Sequence, residues 1–393
     1  MLSVIGYQEK STDATPSLQD TKREGKNKVN TSPSSFPSKK PIPNNRQLSI
    51  LVFSIPLSHH FNTPIRIMKI LTNMRFWQSR KWTESATSIY PRHRLPLGKA
   101  PLSPLREAIT LYREASRYDV IVTMGARESL TYGLLCLLTG RPSKQVMTEI
   151  FIDEPSMGLF WHTKLLLYRI IAERCYGILT NSSAETDSIS KRFLIPKERT
   201  IYVPMHTNIL DPRMTERDEG FILSAGFTQR DFDCLIRAAD KIPCRIVIIC
   251  GHEEKLPTVL HPNVEVHRSC SRDDYMGMLN RCSLVVLPLK RTSRSTGQVV
   301  LLEAMALGKP VIASRAPGML DHIRHGENGL LFDAGDSDTL AAFCCDLIGN
   351  PAKATALGQQ ALNDVLQHNT IETHAENRLN AIKMLWEKSL RDA

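Results

Sequence analysis

The sequence predicts an α/β protein of two domains, and three observations carry that expectation. The chain has 393 residues, beyond the size at which a single hydrophobic core keeps growing. Its composition, 42% hydrophobic and 23% charged, is that of a globular protein. From about residue 118 onward, short apolar runs alternate with segments of helical length. That alternation marks parallel strands covered by helices on both faces, and such sheets bind ligands at the carboxyl ends of their strands.

The first stretch departs from the average. Residues 1–46 are rich in Ser, Thr, Pro, Asn and Lys and predict a disordered basic tail, because they offer too little apolar burial to offset the entropy of ordering. An N-terminal domain over 47–215 opens with a β-like run at 47–55, stopped by Pro56. From 66 to 106, Arg75, Arg80, Lys81, Arg92, Arg94 and Lys99 are interleaved with Phe76, Trp77, Trp82 and Tyr90. Such a mixture can stack on nucleic acid or seat on acidic headgroups. A solvated face with a few buried rings explains it more simply, so nucleic acid is not an expected partner.

Order improves downstream. Residues 118–123 read as an interior strand, 128–138 as a helix, 145–152 as a strand and 160–178 as a long apolar helix. A strand-to-helix step follows over 177–193, with Asn181, Ser182 and Ser183 at the helix start. A short run at 201–204 closes the half, and 208–220 reads as a linker. A C-terminal domain over 216–365 then alternates most clearly. Strands are expected at 221–224, 245–250, 264–267, 283–287, 310–313 and 329–332, and helices at 231–239, 273–280, 298–307, 317–325 and 336–348. The remainder, 366–393, holds an amphipathic helix over 370–388 whose stripe of Leu379, Ile382, Leu385 and Trp386 must cover something, and a return to the N-terminal domain is expected.

The net charge of +10 favours anionic partners: nucleotide phosphates, nucleic acid or an anionic lipid surface. The 9 cysteines have no metal or disulfide spacing, and Cys234, Cys250, Cys282 and Cys344 sit among apolar neighbours as buried thiols. No apolar run reaches the length of a spanning helix, and the N-terminus lacks a secretion signal. A cytoplasmic protein is expected, with peripheral contact at the inner membrane face left open. No P-loop, nucleophile elbow or histidine-based metal site is apparent.

One stretch carries chemistry. Ser295, Thr296, Gly297 and Gln298 form a small polar turn that opens a helix, and the free N–H groups of a helix start can receive a diphosphate. Glu303, one to two turns on, can accept hydrogen bonds from ribose hydroxyls. Gly308 is a natural helix end before Lys309 and Pro310. After the first strand of this half come Gly226 and Arg230, a flexible backbone point and a cation.

The run 301–314, continued by Pro317, Gly318, Asp321, Ile323, Gly326, Glu327, Asn328, Gly329, Leu330 and Phe332, resembles the C-terminal signature of the retaining glycosyltransferases of group 1, family 4-like, built as two facing Rossmann-like domains, the GT-B architecture. The resemblance is good over 216–390, fair over 118–210 and poor before that. It implies hexosyl transfer from a nucleoside diphosphate sugar to a hydroxyl acceptor, whether carbohydrate, lipid-linked or small molecule, with the anomeric configuration retained. It implies no permanently bound cofactor and no metal. Glu303 would bind the ribose, the 295–298 turn would cradle diphosphate and sugar, Arg230 would neutralise the leaving group beside Gly226, and Ser271 would flank the base. The alternatives are a sugar-nucleotide epimerase or hydrolase of the same fold, or a noncatalytic homologue.

Several positions depart from the family pattern. Ser295 stands where members place a second glutamate eight residues before Glu303, and a serine cannot supply negative charge to an oxocarbenium ion. Phe227 occupies the first of two basic positions. The N-terminal half shows neither the family's glycine-rich loop nor its histidine, since Thr148-Glu149 stands where Thr-His is expected. The acidic group of Glu149, Asp153 and Glu154 is left as the candidate to bind the acceptor or serve as its base.

Overall fold

The computed structural model describes residues 67–90, 103–150, 158–216 and 218–392. The expected tail, the run at 47–55, and Asp153 with Glu154 lie outside these residues.

Two parallel six-stranded sheets organise the chain. The first contains β1 (Ile70–Thr72), β2 (Ala86–Ser88), β3 (Val120–Met124), β4 (Gln145–Thr148), β5 (Gly177–Thr180) and β6 (Thr200–Tyr202), in the order β2-β1-β3-β4-β5-β6. Helices α1 (Arg80–Ser85), α2 (Ser103–Glu114), α3 (Ala126–Thr139), α4 (Leu159–Arg174) and α5 (Ser183–Phe193) connect them. The second contains β7 (Phe221–Ala225), β8 (Arg245–Cys250), β9 (Val264–Arg268), β10 (Leu284–Leu287), β11 (Val311–Ser314) and β12 (Leu330–Phe332), in the order β12-β11-β10-β7-β8-β9. Its helices are α6 (Phe232–Ala238), α7 (Arg272–Arg281), α8 (Gln298–Ala306), α9 (Ser337–Gly349) and α10 (Pro351–His368), and α11 (Ile371–Arg391) ends the chain.

Burial explains why the strands read as unbroken apolar runs. Phe221, Leu223 and Ala225 point into one core, with Val285, Leu287, Val311 and Ala313. Their neighbours Ile222, Ile246, Ile248, Leu284, Val286 and Ile312 point into the other. Side chains alternate across a strand, so a sheet covered on both faces needs apolar residues at every position. Cys234, Cys250, Cys282 and Cys344 are buried free thiols in these layers.

Several elements differ from expectation, among them the strand expected at 145–152, which ends at Thr148 because Glu149 turns to φ 55°. Residues 317–322 form hydrogen-bonded turns rather than a helix. Gly318 takes φ 85°, and Asn328 holds the segment by accepting from Arg324 N at 2.7 Å and donating to His322 O at 2.9 Å, a side-chain substitute for a helical ladder. The long apolar helix stops at Arg174, because Gly177 onward belongs to β5. Helix α10 was legible in principle: Asn350 caps it through Lys353 N at 3.1 Å, and Pro351 follows at its first position.

Helix α11 packs against the first sheet. Ile382, Leu385 and Trp386 share a core with Trp82, Val120 and Leu179. Glu372, in its first turn, caps the start of α1 by accepting from Arg80 N at 2.6 Å and Ser79 Oγ at 2.8 Å. Phe76 and Trp82, two rings of the basic stretch, are buried in that same core, and Arg75 lies over the Tyr90 ring at 4.1 Å. No helix among the described residues is long and apolar enough to cross a membrane.

Candidate active site

In the second sheet the strand order reverses between β7 and β10, the place where parallel α/β sheets bind ligands, and the loops that follow the two strands meet at the carboxyl edge. These loops are zipped together. Arg230 and Leu289 form an antiparallel bridge, Lys290 N donates to Gln229 O at 3.0 Å, Asp231 N to Pro288 O at 2.8 Å, and Thr296 Oγ1 to Thr228 O at 3.2 Å. The pairing delivers Ser295, Thr296 and Gly297 to the start of α8. Gly297 caps that helix in the left-handed region, φ 84°, and no side chain caps its N–H groups. A helix start of this kind suits an anion.

Arg230 is buried beneath this turn. Its Nε donates to Ala225 O at 3.0 Å and its Nη1 to Thr228 O at 2.9 Å. Burial pushes its pKa down to about 10, so it remains a cation at neutral pH. Gly226, at φ 133°, has its Cβ position filled by that guanidinium, 2.3 Å from Nη2. The missing side chain thus makes room for Arg230 rather than for a phosphate, which corrects the role expected of Gly226. Phe227 lies over Gly251.

Glu303 is fully buried and already engaged. Its carboxylate accepts from Arg272 Nη2 at 2.7 Å, Tyr275 Oη at 2.9 Å and Asn208 Nδ2 at 3.1 Å. Burial and the adjacent carboxylate raise the Tyr275 pKa, which keeps its proton available to donate. A ribose reaching Glu303 must replace one of these donors, and Asn208, which is exposed, and Arg272, which is partly exposed, are the accessible ones. The sequence signal for the cage was present: Arg272 and Tyr275 stand three apart, hence on one helical face. Ser271, between Cys270 and Arg272, caps α7 by accepting from Asp274 N at 3.1 Å while donating to Asp274 Oδ2 at 2.7 Å. Its hydroxyl therefore serves the helix.

The facing half reaches the same turn. Glu185 Oε1 accepts from Ser295 N at 2.8 Å and Ser295 Oγ at 2.9 Å. Gln298 Nε2 donates to Asn181 O at 2.8 Å, and Asp321 Oδ2 accepts from Ser183 N at 3.1 Å. The sequence points to Asn181 only as part of a helix start and does not point to Glu185, because their partners lie more than a hundred residues away.

At the carboxyl edge of the first sheet, Glu149 sits just after β4 with φ 55°. Its Oε1 faces Arg378 Nη2 of α11 at 3.9 Å, making it the counterion of a fully buried guanidinium. Nearby, Glu128 occupies the first turn of α3 over Gly125, and burial raises its pKa.

Residues 221–350 match the glycosyl transferases group 1 family. An uncharacterized glycosyltransferase of Methanocaldococcus jannaschii is 30% identical over 147 residues, which cover 36% of this chain and 41% of that one. The lipopolysaccharide core biosynthesis glycosyltransferase LpsE of Rhizobium meliloti is 29% identical over 154 residues, covering 37% and 44%. The chain thus spans less than half the length of these curated relatives. Among solved structures, Anabaena HepE in complex with UDP superposes with a TM-score of 0.62 at 19% identity, covering 80% of this chain and 100% of that one. Sucrose-phosphate synthase of Thermosynechococcus elongatus gives 0.58 at 18%, covering 76% and 82%. At such identities the likeness is one of fold, and that fold is GT-B.

Proposed function

We propose that this glycosyltransferase moves a hexosyl group from a nucleoside diphosphate sugar to a hydroxyl acceptor with retention of configuration. The observation that carries the reading is the convergence, at the strand-order reversal of the second sheet, of an uncapped helix start, a buried arginine loop and Glu303. The N–H groups opening α8 would hold the diphosphate. Arg230, sitting under the turn, would stabilise the charge that builds there as the C1–O bond breaks. Glu303 would exchange a donor of its cage for ribose hydroxyls. The departing diphosphate would take the acceptor proton, with Glu128, whose pKa burial raises, as a carboxylate base nearby. The acceptor is carbohydrate, lipid-linked or small, and the chain is placed in the cytoplasm, free or at the inner membrane face. The nucleotide-binding domain is taken as 216–365.

HepE has been solved with UDP-glucose, which makes uridine donors the first to try. A thermal-shift screen of UDP-, GDP- and ADP-sugars, followed by product mass, tests the reading. One nucleotide class should raise the melting temperature and yield an acceptor heavier by one hexose. Arg230→Lys, which keeps charge but loses the fork that grips two carbonyls, should lower kcat by about 10-fold, and Arg230→Ala by about 100-fold. Free sugar or an isomerised donor as sole product would move the assignment to a hydrolase or epimerase. Binding without any product would make the chain a noncatalytic homologue.

A further inference from the structure

The turn that opens α8 offers a serine where sugar chemistry calls for negative charge. As the C1–O bond of a nucleotide sugar breaks, positive charge develops on the ring, and a carboxylate within reach lowers the barrier. Ser295 has none. Glu303, on the same helix, is enclosed by Arg272, Tyr275 and Asn208 and cannot face the turn. The cations Arg230, Lys290, Arg291 and Arg294 lie on the loops around it.

A carboxylate nevertheless stands at the turn. Glu185, in the first turn of α5 on the facing sheet, directs Oε1 to the backbone N–H and the hydroxyl of Ser295. Both hydrogen bonds go to Oε1, so Oε2 is not engaged by Ser295. We propose that Glu185 supplies, from across the cleft, the negative charge that the donor sugar meets, with Ser295 as its anchor. The assignment rests on the reading of this carboxyl edge as a donor site.

The geometry separates this charge from the diphosphate. Glu185 uses the N–H of Ser295, three residues before α8 begins, and the N–H groups of the first helical turn carry no capping side chain. The two anionic groups therefore have different donors. Placement of the carboxylate depends on contact between the halves. Asp321 caps α5 by accepting from Ser183 N and Ser183 Oγ, and Gln298 reaches Asn181 O. Ser182, the residue in the capping position of α5, makes no capping bond itself. The carboxylate reaches the turn only while the two halves are in contact, so activation of the donor is tied to that closure.

The test uses the full chain and UDP release from UDP-glucose, with water as acceptor, and GDP-mannose and ADP-glucose run in parallel. Glu185→Gln keeps an oxygen for Ser295 and hence the contact, but removes the charge. It should lower kcat on the order of 10-fold or more with donor KM changed less than about twofold. Glu185→Gln combined with Ser295→Glu returns a carboxylate to the turn from the other side and should recover most of the loss. Glu185→Ala should fall as far as Glu185→Gln, and melting temperatures identify any variant that has lost its fold. Wild-type kcat in Glu185→Gln, or failure of Ser295→Glu to rescue a folded double variant, overturns the proposal. If the wild type neither binds nor cleaves any of the three donors, the donor-site reading falls and takes this one with it. If it cleaves one and Glu185→Gln does so equally well, only the role of Glu185 falls.

Discussion

Glu303→Ala should lower the melting temperature by about 10 °C, in addition to removing donor binding. The residue is named for a ligand, yet within the protein it is the acceptor for three donors: Arg272, Tyr275 and Asn208. Removing the fully buried carboxylate takes the acceptor from the buried Tyr275 hydroxyl and an ion-pair partner from the partly exposed Arg272, a loss of about 3 kcal/mol. Tyr275 is the sharpest case, because its hydroxyl is buried with Glu303 as its hydrogen-bond partner. The asymmetry gives a control. Replacing both partners by apolar groups removes the two polar groups together, so Glu303→Ala combined with Arg272→Met should melt higher than Glu303→Ala alone. Thermal unfolding of the three proteins decides the matter. If Glu303→Ala melts with the wild type, the carboxylate is not supporting this cage and stands free for a nucleotide alone.

The same residue shows what the sequence could and could not convey. The alternation over 221–350 was readable because each strand is covered on both faces, so local composition and tertiary burial say the same thing. Gly297 and the 295–298 turn were readable too, since a left-handed cap before an apolar helix is a local feature. The partners of these residues were not. Glu303 is met by a side chain 95 positions earlier, and Ser295 by one 110 positions earlier. Such pairings follow from how two sheets face each other, which no window along the chain contains. Gly226 misled for a related reason: a glycine beside a cation suits a phosphate equally well, and only coordinates show the guanidinium filling the space. The turns at 317–322 were taken for a helix because Asn328, which holds them, lies beyond the segment itself.

The second large effect concerns pH. His206, His322 and His374 are all buried where the chain passes between the two sheets. His206 and His374 lie 4.9 Å apart, ring to ring, with Phe76 against both. His322 lies beside Gln298 and Asn369. Burial pushes His206 and His322 down to about 4 from the ordinary 6.5, and His374 well below it, with Arg378 adding like charge beside His206 and His374. Each ring is therefore neutral in the folded state at a pH where the unfolded chain already binds its proton. Between 6.5 and about 4 the unfolded state holds more protons than the folded one, so stability falls as pH falls through that window. Above 6.5 neither state is protonated at these sites, and they contribute no slope. Each histidine withdraws at most about 1.4 kcal/mol per pH unit inside the window. Chemical denaturation at a series of pH values should show a plateau above pH 7 and a steep decline below 6.5. His322→Asn, which cannot take up a proton, should make the decline shallower by about one third. A slope unchanged in that variant would mean the histidines titrate alike in both states. Because His322 sits beside Gln298, which joins the halves at the α8 turn by donating to Asn181 O, the same acidification should loosen the contact through which Glu185 reaches Ser295.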